Sequence, residues 1–209
     1  MSAVATPATS PSSTPPPAAN GRRLWKWTRE DYYNLGELGF FDGKRVELIY
    51  GEIVEKSPIH IAHANGVGLA ASALTRTFAS GYHVRVQQPF WVPGITPGSE
   101  PQPDVSVIPG DWRDYTDHPT TAVLLVEVAD TTFFYESTTK AELYATAGVA
   151  DYWVLDLNDR QLHVFRDPQP LAAGLGATTY KTRLTLGTSD TVTPVAAPGA
   201  IVRVTDLLP

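Results

Sequence analysis

The apolar positions of this chain fall into two periods, and the clearest change between them lies between residues 122 and 157. Ala122 to Val128 is an almost unbroken apolar run, the pattern of a strand covered on both faces. The segment Thr139-Lys140-Ala141-Glu142 then fits a capping box, with Thr139 as N-cap and Glu142 reaching back, and predicts a helix to Ala147 that Gly148 stops. Asp151 to Leu157 reads as a second buried strand, turned at Asn158-Asp159 into a third over Arg160 to Arg166, with Asp156 capping the turn.

Upstream, Thr28 caps a short helix, and the aromatic residues at 25, 27, 32, 33 and 40 are expected to cover the sheet, a platform for bases being the other use of such residues. Lys44 to Lys56 predicts a hairpin: Val46, Leu48 and Tyr50 share one face, Gly51-Glu52 turns, and Ile53 and Val54 return. Ser57-Pro58 opens a helix to Phe78, with a stripe of Val67, Ala71, Leu74 and Phe78. Tyr82 to Gln88 alternates as a strand, 93 to 103 is a Pro/Gly loop, and Asp104 opens the alternating strand Asp104 to Ile108. Tyr180 to Leu186, Thr191 to Val195 and Ile201 to Val204 read as closing strands after a mobile Gly/Ala loop at 172 to 177. The whole predicts an α/β fold.

Chemistry enters through the charges set into this apolar pattern. Glu127 lies inside the buried run, where an unpartnered carboxylate costs several kcal/mol, so a lysine, an arginine or a metal ion must face it. Asp104, on the neighbouring strand, makes the pair an oxygen-rich site suited to Mg²⁺ or Mn²⁺. Lys140, in the first turn of its predicted helix, opposes the helix dipole; it is either a solvated lysine or the counter-charge of the two acids. Glu47 reads as a solvated strand residue or a further acid. His63, four residues before Val67, reads as a core histidine or as a phosphate contact near a helix N-terminus. Gln87 or Gln88 is expected to reach the edge of the site, and Arg113 to contact phosphate. His60, His83, His118 and His163 have no partner at metal-ligand spacing.

Composition narrows the class. The chain has 209 residues, of which 43% are hydrophobic, and no cysteine, which excludes disulfides, thiolate zinc sites and thiol catalysis. Residues 1–20 carry no charge and five prolines, so 1–23 is expected to be a disordered tail before a single domain over 24–209. Without a signal peptide pattern or an apolar run of spanning length, the expected location is the cytoplasm, with no membrane association. The net charge of −6 argues against avid non-specific nucleic-acid binding.

Pro103-Asp104, Glu127, and Lys140 followed by YATAGVADYWVLDL resemble the PD-(D/E)XK nuclease superfamily. With Glu47-Leu48-Ile49-Tyr50-Gly51-Glu52-Ile53-Val54 and His63, they resemble more narrowly its restriction endonuclease-like group, abundant in cyanobacteria and other bacteria, over about residues 25 to 168. The superfamily's strand lysine is missing, since Ala129 follows Val128; in the narrower group the lysine has moved to the next helix, which makes Lys140 the match and places an acid at Glu136 shortly before it. The resemblance implies a central mixed β-sheet flanked by helices and metal-dependent endonucleolytic cleavage of DNA. Asp104, Glu127 and the Val128 carbonyl would hold Mg²⁺ or Mn²⁺, Lys140 would position the nucleophile or neutralise charge on the phosphate, and Glu47 would add an acid or pair with Lys140. His63 and Gln88 would stand at the substrate's edge, and a homodimer follows by analogy with enzymes that cut both strands. A non-catalytic module on the same fold and a hydrolase of small phosphoesters are the alternatives.

Overall fold

In the computed structural model, residues 24–95, 97–169 and 179–209 are described; the expected tail at 1–23 and the loop at 172–177 lie outside them. The elements run α1 (Arg29–Glu37), β1 (Val46–Ile49), β2 (Glu52–Glu55), α2 (Ile61–Thr77), β3 (Tyr82–Val86), β4 (Val105–Pro109), β5 (Leu124–Ala129), the helix α3, β6 (Asp151–Asp156), β7 (Gln161–Pro168), β8 (Tyr180–Leu186), β9 (Thr191–Val192) and β10 (Val202–Arg203). Helix α3 has three parts: an α turn over Phe133–Tyr135, a π turn over Glu136–Lys140 and an α segment over Ala141–Thr146.

Strands β3 to β8 form one six-stranded sheet in chain order. Only β5 and β6 run parallel, with α3 as their crossover, so the sheet is mixed and the fold is α/β, as expected. Alternation along β5 assigns each side chain to a layer. Leu124, Val126 and Val128 join the core under α2, whereas Leu125 and Ala129 join the core that holds Leu143, Tyr144 and Ala145 of α3. Glu127 therefore points to the α3 side. All six β5 residues are buried. Each large side chain so enclosed contributes roughly 1.5–3 kcal/mol, and Leu74→Ala in α2 would cost about 2–5 kcal/mol. Gly66 lets α2 approach β5 closely, because a Cβ there would sit 3.0 Å from Val128 Cγ1.

Several local expectations are revised. The hairpin turn is Tyr50-Gly51, with φ of 49° and 74°, one residue earlier than expected and of the type I′ form that matches strand twist. The helix expected from Ser57-Pro58 begins at Ile61. The N-terminal aromatics do not cover the sheet. Trp25 and Phe40 are about two-thirds exposed, while the Tyr32 hydroxyl donates to the Val46 carbonyl and Tyr33 donates to Glu100. These tyrosines fasten α1 to β1 and to the segment leading into β4. Thr28 does cap α1, in a reciprocal box with Asp31.

The largest revision concerns Lys140. It is not in a first helical turn, because helical backbone already begins at Phe133, and the Ala141 N–H bonds the Glu136 carbonyl five residues back. Thr139 caps nothing, and Glu142 is buried instead, accepting from the Tyr50 hydroxyl at 3.3 Å. The C-terminal stop is as expected: Gly148 takes φ 75°, and the Val149 N–H reaches back to the Tyr144 carbonyl.

Candidate active site

The site forms where the β4/β5 ladder ends. Pro103 has no N–H to extend the ladder, and at Asp104 side chains take over its hydrogen bonds. The Asp104 N–H donates to Glu127 Oε2 (3.3 Å), and the Val128 N–H donates to Asp104 Oδ2 (2.9 Å). Asp104 Oδ1 meets Gln87 Nε2 at 3.2 Å and His63 Nε2 at 3.3 Å. Asp104 and Glu127 are thus locked side by side, each almost fully buried.

Behind them stands a single ammonium among three glutamates. Lys140 Nζ lies 2.9 Å from Glu127 Oε1, 3.1 Å from Glu47 Oε1 and 3.6 Å from Glu136 Oε2. The Tyr144 hydroxyl, one turn along α3, adds a bond to Glu127 Oε1 at 2.7 Å. Glu47 is anchored on its other oxygen by the Gln102 N–H at 3.0 Å, and Glu136 Oε2 is buried with no hydrogen-bond partner. Lys140 is only 1% exposed, so its three N–H vectors serve the cage and not the solvent.

In front lies a cleft of about 290 Å³. Glu47, Asp104, Glu127, Val128, Glu136 and His63 reach it from inside, and Arg45 and Lys56 line it from the β1–β2 hairpin. Three glutamates surround one buried ammonium, with Asp104 beside Glu127, and their electrostatics follow. Burial pushes the Glu127 carboxyl upward, partly offset by Lys140, and Glu136 is driven well above the ordinary glutamate value, again chiefly by burial. Burial would also raise Asp104, but the His63 hydrogen bond and the Lys56 charge outweigh it and hold the carboxyl well below its usual range. The bond to Asp104 in turn raises His63. Burial favours the neutral amine at Lys140, yet the three glutamates together hold the ammonium on.

The family model "Uma2: Putative restriction endonuclease" matches residues 29–201. This chain belongs to the Uma2 family. The Uma2 fold is also seen in a solved structure described as "a putative nuclease belonging to DUF820" from Anabaena variabilis ATCC 29413, with a TM-score of 0.64 over 86% of this chain and 96% of that one. At 16% identity that likeness is one of fold. No curated protein matches the chain significantly.

Within this Uma2 chain the structure brings Asp104, Glu127, Lys140, Glu47, Val128 and His63 together around one cleft and leaves two expected residues out. Gln88 turns its carbonyl to Arg85 (2.8 and 3.0 Å); Gln87, whose φ of 50° breaks the strand alternation, reaches Asp104 instead. Arg113 is exposed, pairs with Asp111, and lies beyond the far end of β4 from Asp104, about 16 Å away along the strand. Tyr144, Lys56 and Arg45 were not singled out by sequence reasoning. A helical i, i+4 reading from Lys140 would have found Tyr144, and cross-strand pairing would have found the two cations. His83 and His163 are structural, bonding the Gly110 carbonyl and Thr185, and Asp156 caps its turn through the N–H groups of Asn158 and Asp159. No helix among the described residues is long and apolar enough to cross a membrane.

Proposed function

We propose that the cleft hydrolyses phosphodiester bonds of nucleic acid, DNA being the expected substrate, with the help of a divalent cation. The observation that carries this reading is the paired Asp104 and Glu127 at the β4/β5 split, facing a cleft with more carboxylates than cations. Among the described residues no group of three or more His, Asp and Glu is spaced to hold a metal. The donor set that the resemblance implies is Asp104, Glu127 and the Val128 carbonyl, all hard oxygens, which suits Mg²⁺ or Mn²⁺ that keeps several waters. When bound, the cation supplies Lewis acidity toward a phosphoryl oxygen.

The chain's own residues prepare that site. Lys140 and Tyr144 fix the Glu127 carboxylate, and His63 and Gln87 fix Asp104. Lys140 thus acts through Glu127 rather than on the substrate, and loss of that orientation is expected to cost on the order of 10²-fold in rate. A second reading, a non-catalytic module, is favoured by one observation: protein donors already engage the oxygens of Asp104 and Glu127. Calorimetric titration of Mn²⁺ into wild type and Asp104→Ala, with plasmid cleavage on the same samples, separates the two. Binding and cleavage that both vanish in the variant support hydrolysis. Wild-type binding without cleavage of any nucleic acid favours the module, and no wild-type binding removes the metal site.

A further inference from the structure

Lys140 is sealed inside its glutamate cage, so a substrate phosphate must find its positive charge elsewhere. Two cations line the cleft from the root of the β1–β2 hairpin. The Lys56 N–H donates to the Arg45 carbonyl at 2.8 Å, which extends the β1/β2 register (Val46 opposite Glu55) by one pair and sets Arg45 opposite Lys56. Opposed residues of an antiparallel pair project to one face, and Arg45 and Lys56 both line the cleft with Glu47 and Val54, the next pair on that face, Glu55 reaching the same cleft from between Val54 and Lys56. Like charges directly opposite one another destabilise a strand pair, so this placement has a cost that an anion between them would offset.

Neither cation is used up by the protein. Lys56 Nζ spends one bond on the Gln102 carbonyl (2.8 Å), and among the described residues Arg45 has no ion pair or side-chain hydrogen bond. Both are half-buried, rigid enough to hold a ligand and open enough to meet one. Lys56 is also near enough to the catalytic acids for its charge to act on Asp104, Glu127 and His63.

We infer that Arg45 and Lys56 form the phosphate grip of the cleft, the pair that takes a backbone phosphate of the substrate next to the bond presented to Asp104 and Glu127. The inference rests on the nuclease reading and adds to it the residues that touch substrate. Arginine contributes a planar fork matched to phosphate oxygens, and lysine a point charge with two N–H groups to spare.

The test is fluorescence anisotropy of a labelled DNA duplex in Ca²⁺ across a KCl series, with plasmid cleavage in Mn²⁺ measured alongside. Each of Arg45→Ala and Lys56→Ala should flatten the slope of log affinity against log salt by about 0.9, and the double variant by about twice that. Cleavage should fall with affinity, while Mn²⁺ affinity does not fall, since each substitution removes a cation from beside the acids, and each variant stays folded at the assay temperature. The exchange Arg45→Lys with Lys56→Arg, which keeps both charges, should restore the slope, and Lys181→Ala, on exposed β8, should not change it. A double alanine variant with wild-type slope and affinity overturns the grip even if the wild type cuts DNA. Wild type that neither binds nor cuts any nucleic acid overturns the nuclease reading, and the grip with it.

Discussion

Two buried ionic clusters flank the parallel strand pair, and they are built on opposite rules. At the start of β6, Asp151 is fully buried and meets Arg166 bidentately, Nε to Oδ1 at 2.9 Å and Nη2 to Oδ2 at 3.2 Å. The Trp153 Nε1–H and the Val195 N–H complete its oxygens at 2.8 and 2.9 Å, and Arg166 also reaches the Thr193 carbonyl. One negative charge meets one positive charge, and both carboxylate oxygens are used. Around Lys140, by contrast, three glutamates share one ammonium, Glu136 Oε2 has an ion pair at 3.6 Å but no hydrogen bond, and a cleft opens in front. A balanced and saturated cluster ties β6 and β7 to the chain's end. An unbalanced one beside a cavity is held ready for something positive.

The comparison can be broken first by deleting one member of each cluster. Lys140→Met and Asp151→Ala should each cost about 3–5 kcal/mol in denaturant unfolding, as expected when a buried pair loses a partner. Their pH responses should differ. Glu127 and Glu136 have folded pKa values raised above the ordinary 4.5, so the folded state binds their protons more readily than the unfolded state. Lowering the pH from neutrality toward 4.5 should therefore recover part of the stability lost in Lys140→Met and none of that lost in Asp151→Ala. Asp104 is shifted the other way, so its contribution is present above 3.8 and disappears as the pH falls below it. Equal recovery in both variants would show that the charge balance does not distinguish them. Asp151→Ala should also leave Mn²⁺ affinity per folded molecule unchanged.

A smaller effect is expected from Tyr144→Phe, which removes one donor to Glu127. A hydrogen bond to a charged group is worth about 1.5–3 kcal/mol, and Mn²⁺ titration should show whether the loss reaches the cleft. The smallest is a gain. Glu136→Gln removes the buried charge without a hydrogen-bond partner and should raise stability by roughly 0.5–2 kcal/mol, at the expense of cleavage. If the variant is destabilised, Glu136 is a satisfied member of the cage and the contrast with Asp151 weakens.

How far each cluster was legible in the sequence follows from the same contrast. Glu127 stood out because it interrupts the apolar run Ala122 to Val128, Asp104 and Lys140 were read as charges that could accompany it, and the resemblance that the Uma2 match supports joined the three. Asp151 gave no such signal, since an acid at a strand start commonly faces solvent. Its partners, Arg166 and the Val195 N–H, lie 15 and 44 residues away. The Thr139/Glu142 spacing imitated a helix start because capping boxes are local patterns, whereas the helix actually enters from Phe133, before any residue of that pattern. Gln87 and Gln88 were indistinguishable by alternation, because nothing in the residue types announces the positive φ at Gln87.

The π turn in α3 has a consequence for how relatives of this chain should be aligned. Such a turn holds one residue more than a regular helix needs, so everything before it is rotated by about 100° relative to an uninterrupted α-helix. Deleting Ser137 would take out that extra residue, let the segment close as regular α-helix, and leave Glu136 three residues before Lys140, still on its face. The acid-to-lysine spacing along this helix is thus a phase marker: in a relative one residue shorter here, the matching acid is the one three residues before the lysine.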